Sequence, residues 1–63
     1  MLVNYPDGPE THVNPNYIMK VWRTRNDSIG NGYNYRLKML GDKQSTLIDR
    51  DSYMRIVTWI EAQ

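Results

Sequence analysis

Four small groups of residues have types that chemistry could use. In "DGPETH", Asp7 and Glu10 flank a turn with His12, the only histidine of the chain. A metal site needs three or four ligands converging in a defined geometry. Three polar residues strung around a turn read instead as solvated, so no metal is expected. Asp49 and Asp51 are two carboxylates two residues apart. Acid–base work would need one of them raised by burial; at the start of a helix both are explained as cap and dipole partners. Ser45 and Ser52 have no histidine near them in sequence to activate a hydroxyl. Gly30-Asn31-Gly32 lacks the strand–loop–helix setting of a phosphate loop. A chain of 63 residues also has difficulty enclosing a ligand pocket of about 300 Å³ or more. The expectation is a protein with no catalytic residue, no metal and no cofactor.

Charge carries more information. The whole chain is only +1, too little to imply nucleic acid by itself. Residues 18–50 hold seven basic residues (Lys20, Arg23, Arg25, Arg36, Lys38, Lys43 and Arg50) against three acidic ones, a local charge of +4. If 18–25 pairs with 33–40 as a hairpin, Arg23 and Arg25 approach Arg36 and Lys38. Such a basic patch on a helix-free face is either solvated edge protection or a site for an anionic partner. Five Tyr, two Trp and no Phe form an interfacial set of rings, each with a polar tip.

The elements that must position these residues follow from periodicity and punctuation. Leu2–Tyr5 reads as a short strand, Pro6-Asp7-Gly8-Pro9 as a turn, and residues 11–13 as the returning strand. Asn14-Pro15 suits the start of a single helical turn over Pro15–Tyr17. Ile18–Arg25 reads as a strand and 26–32 as a loop. Tyr33, Tyr35, Leu37 and Met39 alternate with Asn34, Arg36 and Lys38, a strand period of two. Gly41-Asp42 suggests a two-residue hairpin of the Gly-X kind, with 43–48 as the partner strand. Tyr53, Ile56, Val57 and Ile60 fall at i, i+3, i+4 and i+7, one apolar helical stripe. The expected fold is α+β: one domain over 1–63, with a small antiparallel sheet of three to five strands and one C-terminal helix packed on one face.

Two features of this frame bear on binding. Strand 18–25 is apolar on both faces, because either Val21 or Trp22 must point outward. The strand is therefore covered twice, bulged, or half of an interface. On the helix, Trp59 and Met54 lie on the two flanks of the stripe, each roughly 110° from its centre at about 100° per residue. The candidate partner-binding residues are Trp22, Arg23, Arg25, Arg36, Lys38, Trp59 and Met54.

The chain resembles the small FlbD-type flagellar and swarming proteins. Val13-Asn14 with Ile18 and Val21 matches a segment preceding two strands in that family, and Ser52, Ile56 and Ile60 match its helix. LytTR-type DNA-binding domains share a similar "VN…I" step. The resemblance implies the same sheet-plus-helix fold and a non-enzymatic regulatory role. The leading functional expectation is a small regulator that binds a larger protein with an acidic surface, in the size class of phage-encoded inhibitors of host machines. The alternatives are a single-stranded nucleic-acid binder, using the arginines on phosphates and Trp22 or a Tyr on bases, and a self-assembling subunit that dimerises through sheet edges. With no cysteine, disulfides are excluded. No apolar run nears the ~20 residues of a membrane span and no signal-peptide pattern opens the chain, so a cytoplasmic location and no membrane partner are expected.

Overall fold

A computed structural model describes residues 1–28, 30 and 32–63. The architecture is α+β: five strands in two antiparallel sheets, and one C-terminal helix packed against them. Strands β1 (Leu2–Asn4) and β2 (Glu10–His12) form a hairpin with Val3 opposite Thr11. Outside the hairpin, the N-terminal ammonium donates to the Val13 carbonyl and the Val13 N–H donates to the Met1 carbonyl, both at 2.8 Å. The Asn14-Pro15 signal acts as its residue types dictate. The Asn14 side chain accepts from the Asn16 N–H at 3.0 Å, and Pro15 opens a single 3₁₀ turn over Pro15–Tyr17.

The second sheet has the order β3 (Ile18–Arg25), β4 (Tyr33–Met39), β5 (Thr46–Ile48). β4 obeys its period of two: Tyr35 and Leu37 are buried, while Asn34, Arg36 and Lys38 on the other face are only half-buried. β5 resolves the parity of its adjacent aliphatics. Ile48, opposite Tyr35, is buried, and Leu47, opposite Arg36, faces outward. In the segment between β3 and β4, Ile29 and Asn31 lie outside the described residues; across it, the Asn26 N–H donates to the Gly32 carbonyl at 2.7 Å.

The β4–β5 connection departs from the expected two-residue hairpin. Residues 40–45 join the strands, and they open with a β-turn over Met39–Asp42 closed by the Asp42 N–H on the Met39 carbonyl. Gly41 holds φ +91° at the third position of that turn, which is where a type II turn requires positive φ; a Gly-X hairpin would need it one residue earlier. The Asp42 carboxylate then accepts from the Met39 N–H at 3.1 Å, tightening the corner.

Helix α1 (Arg50–Glu61) starts where the sequence indicates. Asp49 is its N-cap and accepts from the Ser52 N–H at 2.8 Å. Ile56 is wholly buried and joins Val3, Tyr35, Leu37 and Ile48 in the core. Tyr53 packs its ring 4.8 Å from that of Tyr35. Ile60, expected on the same stripe, is 42% exposed, because the stripe outruns the small core it covers.

The helix is tied to β1 by polar bonds as well as by Val3. The Asn4 N–H donates to Ser52 Oγ at 2.8 Å, the Asp49 N–H donates to the Asn4 carbonyl at 3.1 Å, and Arg55 Nη1 donates to the Leu2 carbonyl at 2.6 Å. Ser52 is fully buried, so its hydroxyl is a structural acceptor. Burial by itself would raise the Asp49 carboxyl. The hydrogen bonds from the Ser52 hydroxyl and amide and from the Asn4 side chain, with the charge of Arg55, outweigh it and hold the group below the usual carboxylate range. Among the described residues, no helix is long and apolar enough to cross a membrane.

Candidate docking face of the sheet

A bulge decides which residues of β3 reach the open face. Ile18 pairs with Met39 and Lys20 with Lys38, so two steps along β3 answer one along β4, with Met19 the extra residue. Beyond it, the register runs Val21–Leu37, Trp22–Arg36, Arg23–Tyr35, Thr24–Asn34 and Arg25–Tyr33. The bulge lets Ile18 and Val21, three residues apart, both pack on the core. Trp22 is thereby turned to the opposite face.

That opposite face, which the helix does not cover, is built from cross-strand pairs. Lys20 stands opposite Lys38, Trp22 opposite Arg36, and Thr24 opposite Asn34, with Leu47 of β5 next to Arg36. None of these strand residues is acidic. The Lys20 ammonium lies 4.6 Å from the centre of the Trp22 ring, a cation–π contact. Arg36 Nη1 donates to Ser45 Oγ at 3.3 Å. Beside it lies a shallow depression of about 360 Å³, lined in part by Tyr5, Asp7, Ser45 and Leu47. Asp7, from the β1–β2 turn, lines the same depression as Arg36. Burial, then the charge of Asp42, pushes the Tyr5 phenol up. At the other end, the Leu40 N–H donates to the Tyr17 carbonyl at 2.7 Å. Tyr17, Met19 and Leu40 there are 56%, 62% and 67% exposed.

The basic residues expected on one face are divided between two. Arg36 and Lys38 are on the open face, but Arg23 and Arg25 project on the helix side, because Trp22 rather than Arg23 stands opposite Arg36. Arg23 stacks on the Tyr33 ring at 4.4 Å, and Arg25 pairs with Asp27 at 3.1 Å in full solvent. The helix residues are elsewhere again. Met54 is 45% exposed and Trp59 half-buried; both are on α1, whose side of the sheet is the one opposite the open face. Of the seven candidates, Trp22, Arg36 and Lys38 share a surface. Lys20, Leu47, Tyr17, Met19 and Leu40 complete it. The parity of Lys20 with Trp22 was readable from the strand period; the placement of Met19 was not, since no glycine or proline marks the bulge.

The chain matches no family model, no curated protein and no solved structure.

Proposed function

We propose that this protein is a small non-enzymatic regulator that docks on an acidic surface of a larger protein through the open face of its second sheet. The observation that carries the reading is the pair Lys20–Lys38, set directly opposite each other beside Trp22–Arg36 on a face whose strand residues include no acid. Like charges facing each other across strands are unfavourable to the fold. A partner carboxylate placed between them turns that cost into an attraction. The two lysines steer the encounter. Trp22 and the exposed Tyr17, Met19 and Leu40 supply apolar anchors of the kind that carry affinity. Two residues that could have done chemistry have structural duties: Asp49 caps the helix and Ser52 accepts from Asn4. The resemblance to FlbD-type proteins points to the same non-enzymatic class.

A single-stranded nucleic acid fits this face less well. Successive bases need successive stacking platforms, and this face offers two rings set apart, Tyr17 at one end and Trp22, already approached by Lys20. The test compares wild-type protein with Lys38→Glu and Trp22→Ala as baits in lysate of the native host. A protein retained by the wild type should be lost with Lys38→Glu. Its dissociation from the Trp22→Ala bait should quicken by the equivalent of about 2 kcal/mol. Equal retention by all three baits would refute the reading. Tight binding of single-stranded nucleic acid, with a log–log salt slope of about −0.7 per phosphate contacted, would replace it with the alternative.

A further inference from the structure

The open face ends at an unpaired strand. Among the described residues, β3 is the longest strand and pairs with β4 alone, and the order β3-β4-β5 leaves its other side without a strand neighbour. The direction of its backbone groups follows from the register. Asn26 bonds Gly32 through its N–H, so pairs alternating from it, Thr24–Asn34, Trp22–Arg36 and Lys20–Lys38, are the hydrogen-bonded ones. The intervening pairs at Val21, Arg23 and Arg25 point their N–H and C=O groups away from β4. Neither Val21 nor Arg23 makes a backbone hydrogen bond there to another described residue.

We propose that this edge accepts an extended acidic segment of the partner as an added β-strand. The inference rests on the docking reading in one respect, that the occupant belongs to an acidic protein. Charge complementarity identifies the occupant. Lys20, Arg23 and Arg25 are all exposed along the edge, two on the helix side and one on the open side. A strand lying alongside places alternate residues next to Arg23 and Arg25, where carboxylates fit. The residues between them lie beside Lys20 and Trp22, where an apolar side chain or a further acid fits. Main-chain bonds to Val21 and Arg23 give affinity and the alternating side chains give selectivity, the general mode of strand addition. A second copy is a poorer occupant, since it would bring a second set of the same cations to the edge where an acidic strand brings opposite charge. The bulge confines irregularity to the Met19 end, which leaves the stretch from Lys20 to Arg25 regular enough to template a neighbour.

The test uses the full chain and a capped synthetic peptide alternating Glu and Val, as long as β3. Amide exchange at Val21 and Arg23 should be fast in the free protein and slowed at least tenfold with peptide bound; docking on the open face would not move these amides. A full-length synthetic chain with a backbone N-methyl group at Arg23 keeps every side chain and every β3–β4 bond. It should unfold at the same temperature and bind the peptide at least tenfold more weakly. A peptide alternating Lys and Val should not bind. If the acidic peptide binds without protecting Val21 and Arg23, and Lys38→Glu or Trp22→Ala abolishes that binding, the edge proposal fails while the face reading stands. Failure of the acidic peptide to bind, or a doubling of mass in its absence, also overturns the edge proposal.

Discussion

The two faces of the β3–β4 pair are made by alternate residues of the same two strands in one register, yet they obey different rules. Toward the helix, Leu37, Tyr35 and Ile48 are buried with Ile56, and every buried side-chain polar atom among the described residues has a partner. Away from the helix, two lysines confront each other and a tryptophan lies half open. The first face is consistent at each level, as a folding unit must be. The second sets like charges opposite each other, a local conflict of the kind found at functional sites. Substitutions on the two faces should therefore act in opposite senses, and this gives ways to break the comparison.

The largest effect belongs to the covered face. Ile56→Ala should cost roughly 2–5 kcal/mol, a large share of the total stability of so small a domain. A thermal midpoint little changed from wild type would show that the helix is not the lid of this core. Next comes the polar tie beneath it. Ser52→Ala strands the Asn4 N–H and should cost about 1–3 kcal/mol, measured by urea unfolding. An unchanged midpoint would mean that the bond from Asn4 to Ser52 Oγ contributes nothing net.

Asp49 sharpens the picture through pH. Its folded carboxyl is depressed, so its contribution is complete above the unfolded carboxylate value and disappears as pH falls through the folded value. Asp49→Ala should lose the cap, about 0.5–2 kcal/mol at neutral pH. It should also flatten the fall in stability below the usual carboxylate range; parallel pH profiles for wild type and variant would contradict the assignment. The smallest effect has the opposite sign. Lys38→Glu turns a like-charge pair into an attractive one and should stabilise the fold by about 0.2–1 kcal/mol while removing partner binding. A destabilised Lys38→Glu would show that the open face is already optimised for folding, and the contrast between the faces would collapse.

How much of this was legible in the chain depends on whether a signal is local. The Asn14-Pro15 turn, the Asp49 cap, the alternation of β4 and the helical stripe at Tyr53, Ile56 and Val57 are local, and each was readable from residue type and period. The type II turn at Gly41 was misread because the same glycine serves two turn classes that differ only in its position within the turn. The candidate site was half legible: Trp22, Arg36 and Lys38 share a face, whereas Arg23 and Arg25 were displaced to the other by one step of register.

The sequence by itself determined the element order, the caps and which side of β4 is apolar, because these follow from backbone preferences and from a period fixed by strand and helix geometry. Only the tertiary structure decided where β3 bulges, how five strands divide into a hairpin and a three-stranded sheet, and where the helical stripe stops being covered. A bulge at Met19 has no signature of its own. It exists because Ile18 and Val21 must both reach one core from positions of opposite parity, a requirement set by Met39, Leu37 and Ile56, which lie far along the chain. That same long-range demand turns Trp22 outward beside Lys20 and Arg36, so the surface that a partner would meet is a consequence of how the core is filled.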